Sequence, residues 1–392
     1  MRARIVLSSI ALAGLCACTP AEDGKPPPAA APASEPAPLA APVAEAPTSN
    51  GVRGYVVSSW RDEIPRKVDP AWCPGGLNKS ELEFNGITKE DLSAAYKAGG
   101  REAADKLFPT NGCIDPAGTD DPGFNLVQGV GPVAIAGLDL DGADSKAEGG
   151  SGCAHDDFIG PDGETGIDNQ HWRLMGCVAA YQPGGLIDNL YEANGFVDGN
   201  AAPVLIELTG VDNLRNDDDV ELRFFSSGDA VTFDARGKAL PDATMTAHDD
   251  PRFHSKPVAA KIVDGVLTSE PTADLYIKVK TQTMDNEFHY RDARVRAEVA
   301  ADGSLKGLIG AYWDGDNLYD AMNRQYIGEN HVGRIAAITR GYMCAGMYNA
   351  IPRIADGHPD PETGKCTSVS HAVHFEAVPA FVVLPQLAKA QP

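Results

Sequence analysis

Ala293-Arg294-Val295-Arg296-Ala297-Glu298-Val299 sets apolar residues at every second position, with Arg and Glu between them. A period of two is that of a β-strand with one buried and one wet face. The stretch decides the fold because its neighbours repeat it. Leu305 to Trp313 follows after the turn signal Asp302-Gly303. Val204 to Leu208, Val220 to Phe225, Leu275 to Val279 and Ala372 to Val383 carry similar β-branched and aromatic runs, and Asp264-Gly265 is a further turn pair. Strands joined by such turns pair antiparallel. With 41 Gly and 29 Pro the loops must be long. The expected fold is α+β and β-rich: an antiparallel β-sandwich core with appended helices and long Asp/Gly-rich loops.

Helical signals are fewer. Thr88 with Asp91 three residues on reads as a capping box, and Leu92, Ala95, Tyr96, Ala103 and Leu107 follow at roughly helical spacing. Asp168 is placed to cap a helix carrying Trp172, Met175, Val178 and Tyr181. A third stretch, 331 to 350, sets Val332, Ile335, Tyr342 and Met343 on one side.

The N-terminus gives an address. Arg2 and Arg4 precede an apolar run, Ile5 to Leu15, which is shorter than the roughly 20 residues a spanning helix needs. This is the pattern of a secretory signal. Leu15-Cys16-Ala17-Cys18 resembles the bacterial lipobox, with an apolar residue three positions before the modified cysteine and a small one directly before it. The resemblance implies that residues 1–17 are a signal peptide, that Cys18 is the lipidated N-terminus, and, with Thr19 rather than Asp next, an outer-membrane address. Several acyl chains on one residue anchor firmly, each buried methylene contributing about 0.8 kcal/mol. Residues 18–54 are rich in Pro and Ala and read as a semi-stiff tether. Residues 55–392 are expected to form a single β-rich globular domain.

Composition excludes one class of partner. The 392 residues hold 33 Lys+Arg against 55 Asp+Glu, a formal charge of −22. Phosphate binding needs clustered cations, so nucleic acid is not a partner. Setting aside Cys16 and Cys18, six cysteines remain: Cys73, Cys113, Cys153, Cys177, Cys344 and Cys366. An even number in an oxidising compartment points to disulfides, and no C-x-x-C supports a zinc site. Sequence neighbours are the expected pairs, Cys73–Cys113, Cys153–Cys177 and Cys344–Cys366.

The most acidic segment is 137–170, GLDLDGADSKAEGGSGCAHDDFIGPDGETGIDNQ. Hard cations such as calcium take six to eight oxygen ligands. Asp139, Asp141 and Asp144 supply three carboxylates on a chain that Gly142 lets curl, and Asp162, Asp168 and Asn169 are placed to close the shell. The loop is not an EF-hand, because its Gly falls at the fourth position and its twelfth residue is Gly150. The competing reading is a solvated loop whose Asp-Gly pairs are turns. Asn216-Asp217-Asp218-Asp219 and the stretch from Trp313 to Asn317 read better as turns than as sites.

This run, with LTGVDNLRNDDDVELRFF, ARVRAEV and AYWDGD, resembles secreted bacterial proteins of uncharacterised function across much of residues 137–380. The resemblance implies no activity and no site.

No G-x-S-x-G, H-E-x-x-H, Walker loop or S-x-x-K is present. His371 and His374 lie in a strand-like run, where a spacing of three points them to opposite faces, so they cannot share a metal. His155 reads as a surface residue in the acidic loop. Tyr312, Trp313 and Tyr319 beside acids suit sugar stacking, and suit a core better. The reading that follows is a calcium-ordered, non-catalytic module of the outer membrane that binds a glycan or an envelope protein or serves the envelope structurally. The alternative is a secreted carboxylate-dependent hydrolase acting on a polysaccharide or similar polymer.

Overall fold

A computed structural model describes residues 51–64, 70–108, 112–129, 134–143, 153, 155–198, 202–280, 285–323 and 332–385. Cys18, most of the Pro/Ala-rich tether and Asp144 lie outside the described residues. Every described residue falls in one compact unit, Glu45–Pro392.

The strands are β1 (Arg53–Asp62), β2 (Val204–Thr209), β3 (Asp217–Ser226), β4 (Ala243–Thr246), β5 (Val258–Val263) and β6 (Val266–Ser269). They continue with β7 (Thr272–Lys280), β8 (Asp285–Val299), β9 (Leu305–Asp314), β10 (Gly357–Pro359) and β11 (Cys366–Val383). All six runs expected from alternation are strands. The helices are α1 (Glu81–Asn85), α2 (Lys89–Asp105), α3 (Gln170–Met175), α4 (Leu186–Glu192), α5 (Gly195–Asp198), α6 (Gly315–Asn323), α7 (Val332–Arg340) and α8 (Cys344–Ile354).

Alternation tells which face of a strand is buried, but not which strand lies beside it. Here the hydrogen bonds join the strands in one sheet rather than in two separate layers. Its order is β1-β2-β3-β5-β6-β8-β9-β11-β10, and β1 also pairs with β11, so the path from β1 to β11 returns to its start. Closing a sheet on itself removes exposed edges. Pairings between these strands are antiparallel, apart from β4 alongside β11. Leu208, Leu222, Leu267, Val295, Ile309 and Phe375 meet in the main core, against which α6 and α8 lay Leu318 and Met347.

Two helix expectations change. The stretch 331–350 is two helices, because Gly341 takes a left-handed φ of 94° and ends α7. Asp168 does not cap α3; Asn169 occupies that position without a side-chain cap bond. The first helical N–H, on Gln170, donates instead to Ser370 Oγ of β11 at 2.8 Å. The capping box of Thr88 and Asp91 is present as expected.

The six cysteines are paired, but not as neighbours. The disulfides are Cys73–Cys177, Cys113–Cys344 and Cys153–Cys366, with separations of 104, 231 and 213 residues. Loop-closure entropy favours neighbours only by a logarithm of loop length, so the tertiary fold decides. Each bridge ties a loop or helical segment of the first half to an element laid down later. The Cys113–Cys344 loop is the longest, and the loop-entropy argument gives it about 5 kcal/mol. Replacing both residues by Ser is expected to lower unfolding free energy by about 3–5 kcal/mol in urea titration. Non-reducing peptide mapping checks the pairing itself, and recovery of Cys73 linked to Cys113 would contradict it.

Candidate functional site

The acidic segment folds back on itself before it reaches α3. Ile135 N donates to Ile159 O at 2.9 Å, Phe158 N to Ile167 O at 2.9 Å, and Asp168 N to Leu138 O at 3.0 Å. Ile135, Phe158, Ile167 and Trp172 bury together beside Cys73 and Cys177, giving the segment a small core of its own. This apolar floor brings carboxylates distant in sequence to one place. Oxygens of Asp139, Asp141 and Asp168 lie within 4.8 Å of one another.

Each of the three also fixes the local backbone. Gly142 N donates to Asp139 Oδ1 at 2.7 Å, Ala143 N to Asp141 Oδ1 at 2.8 Å, and Leu140 N to Asp168 Oδ2 at 2.7 Å. The turn reading of the Asp-Gly pair is therefore right as far as it goes, and the clustering comes in addition to it. Asp168 is 5% exposed, and Asp356, after α8, is 8% exposed. Ser370 N donates to Asp356 Oδ1 at 2.7 Å, while Asp356 Oδ2 is buried with no hydrogen-bond partner. Burial, together with the charges of Asp356, Asp141 and Asp157, pushes Asp168 up to about 8, against a backbone hydrogen bond that lowers it. Burial raises Asp356 to about 7. Asp139 is raised by burial as well. Arg294 lies close but gives its guanidinium to the carbonyls of Asp139 and Leu140, at 3.0 and 2.7 Å.

The other residues expected in this shell stand elsewhere. Asp162 is exposed, and its backbone N–H donates to Glu164 Oε2 at 3.1 Å. The side-chain nitrogen of Asn169 donates to Glu63 O at 2.9 Å and Ala136 O at 3.1 Å, so this residue ties the segment to the end of β1. Asp144 is outside the described residues. Asp356 had no signal in the sequence: a lone Asp before a Gly, far along the chain, reads as a turn.

A second cluster lies past the same turn. In β1, Val57 pairs with Ala377 but Ser59 pairs with Glu376, so Ser58 is an extra, bulged residue. Tyr55 and Val57 face the core before the bulge. After it, parity shifts and Trp60 and Asp62 turn to that face. Asp62 pairs with Val373 of β11, which makes His371 its diagonal neighbour on the same side. His371 Nε2 stands 3.1 Å from Asp62 Oδ1. His374 pairs with Arg61 on the other face, as the spacing requires. α3, pinned to Ser370, brings in His171, whose ring centroid is 4.3 Å from that of His371. Burial pushes Asp62 upward, but the hydrogen bond and charge of His371, with His171 and Tyr191, outweigh it and hold the carboxyl at about 2. Burial, then the charge of His371, lowers His171 to about 3, which leaves it neutral.

Asp62 also lines a cavity of about 60 Å³, walled by Trp60, Tyr191, Phe288, Tyr290 and Trp313. Trp313 was expected to be core, and it is 3% exposed. Neither Asp62 nor His171 could be picked from the sequence, because one depends on a bulge and the other on where a helix docks. Compared with known proteins, the chain matches no family model, no curated protein and no solved structure. Fold and site together define a disulfide-stapled, β-rich domain in which a carboxylate cluster and a buried imidazole pair flank one turn.

The raised carboxyls predict how pH acts on the cation-free protein. Unfolded Asp titrates near about 3.9. Between there and about 8 the folded protein binds more protons than the unfolded chain at Asp168 and Asp356. Their contribution to stability is thus full below about pH 4 and falls progressively as pH rises to the folded values of about 7 and 8. Asp168→Asn is expected to melt above the wild type at pH 8 in chelator, with the gap closing toward pH 5. Equal shifts at both pH values would contradict this.

Proposed function

We propose that the chain is a cation-ordered, non-catalytic module of the bacterial outer membrane, carried on a lipid at Cys18 and held off the bilayer by the Pro/Ala-rich residues between Cys18 and β1, which takes in Arg53 and Gly54 from the end of the expected tether. The observation that carries this reading is the convergence of Asp139, Asp141 and Asp168 within 4.8 Å, joined by the charge of buried Asp356, whose Oδ2 has no hydrogen-bond partner. Like charges brought so close repel; Asp139 and Asp141 are exposed, and burial adds to the cost at Asp168. A calcium ion takes carboxylate and carbonyl oxygens in a flexible shell and would balance them. Ordered in this way, the described parts of the segment, residues 134–143 and 155–169, would present a fixed surface for a glycan or an envelope protein.

The competing reading is a polymer hydrolase. It draws on an open cleft of about 480 Å³ whose lining includes Asp314, Asp316 and Asp360. Glycoside hydrolysis needs one carboxyl kept protonated and another free to act. Asp314 is paired with Arg291 at 2.6 Å. Asp360 is held down by the side chain and backbone of Thr363, whose hydroxyl and N–H both donate to it. These partners favour the binding reading.

At saturating calcium and pH 8 the melting temperature of the purified protein is expected to rise by about 5 °C over the chelated form. The rise is expected to vanish in Asp141→Asn/Asp168→Asn. Melting that ignores both calcium and chelator would remove the cation from the account. Separately, Cys18→Ser is expected to move the protein from the membrane to the soluble fraction; retention on the membrane would contradict the anchor.

A further inference from the structure

The second cluster is built from different chemistry, and nothing in the proposed function uses it. His171 is 1% exposed, and neither of its ring nitrogens has a hydrogen-bond partner. His371 is 2% exposed, and its Nδ1 has none either. Buried polar atoms are nearly always satisfied, because each orphan costs about 1–3 kcal/mol. A neutral imidazole carries one lone pair and one N–H, so the unpartnered ring of His171 leaves a buried lone pair beside Asp62 and His371 that calls for an electron-pair acceptor.

The geometry fits a metal ion. One ligand atom each from Asp62, His171 and His371 lies within 4.8 Å of the others. Zinc-class ions hold imidazole nitrogen and carboxylate oxygen at about 2.0–2.2 Å, which puts neighbouring ligands about 3.0–3.4 Å apart. Asp62 Oδ1 and His371 Nε2 are 3.1 Å apart. The ligands are also held in place. The bulge at Ser58 aims Asp62, and β11 carries His371. The bond from Gln170 N to Ser370 Oγ fixes the helix that carries His171. Tyr191 hydrogen-bonds Asp62 from outside the trio, as outer partners of ligating carboxylates do. Trp313 stacks on His371 at 5.2 Å and Tyr290 lies 5.7 Å away, which keeps the ring positions dry.

We propose that Asp62, His171 and His371 form a binding site for a divalent first-row transition ion of the zinc or ferrous class, chemically distinct from the hard-cation cluster at Asp168. Two imidazoles and one carboxylate select such ions over calcium, which takes oxygen. Three protein ligands leave coordination positions open. The neighbouring cavity shares Asp62, Tyr290 and Trp313 with the site, and its volume of about 60 Å³ has room for water that would complete the shell of a bound ion.

The test uses untagged full-length protein, stripped with chelator and kept in excess calcium so that the acidic cluster does not compete. Cobalt(II) is titrated in and followed by its visible d–d absorption, with X-ray absorption at the cobalt edge to count imidazoles. About one equivalent is expected to bind, with two imidazole scatterers and no sulfur-to-metal charge transfer, since the described cysteines are all in disulfides. His171→Phe and His371→Phe are each expected to abolish the spectrum while the calcium-dependent thermal shift persists. That shift reports folding and the first site independently. Failure of the wild type to take up cobalt, an oxygen-only shell, or a spectrum unchanged in both variants would overturn the proposal. Should a variant fail to fold, the imidazole count in the wild type decides alone.

Discussion

Oxygens of Asp139, Asp141 and Asp168 converge within 4.8 Å, the charge of Asp356 reaches Asp168, and no described Lys or Arg is in an ion pair with any of the four. That unbalanced charge is the constraint on which the rest of the arrangement depends. In the cation-free state burial raises Asp168 to about 8 and Asp356 to about 7, which lowers the charge the cluster carries near neutral pH. The staples around it then acquire a purpose. Asn169 grips Glu63 O and Ala136 O, Gln170 hangs on Ser370, and Cys153–Cys366 locks the segment to the start of β11. Without them, repulsion would open the loop.

The turn Asp168-Asn169-Gln170-His171 is where the parts meet. Its first residue faces the carboxylates, its second and third are tied to β1, the neighbouring loop and β11, and its fourth reaches the imidazole pair. Whatever orders Asp168 therefore also positions His171 against Asp62 and His371. The closed sheet supplies the other half: pairing of β1 with β11 puts Asp62 and His371 on adjacent strands although 309 residues separate them.

Strands were legible where one face is wet. Val295, Ala297 and Val299 alternate with Arg296 and Glu298, and the pattern survives in β8. Ring closure was not legible, because it rests on β1, whose Ser58-Ser59 interruption hides its period, meeting a strand at the other end of the chain. The disulfides failed for the same reason, since partners are chosen by tertiary contact and not by proximity in sequence. Of the expected calcium ligands, Asp139, Asp141 and Asp168 converge because Gly142 and Gly166 take left-handed turns that bend the loop toward itself. Asp162 does not, because the Gly163 turn beyond Phe158 carries it outward. Asp356 and the histidine site were invisible for want of any local pattern.

Crystals of the protein grown in calcium, with diffraction collected to show anomalous scattering, address the central claim most directly. The account predicts one calcium peak among Asp139, Asp141 and Asp168, with oxygens at about 2.3–2.6 Å and Asp356 in or directly behind the shell. A cluster holding only water, with Asp168 and Asp356 protonated and hydrogen-bonded, would contradict it.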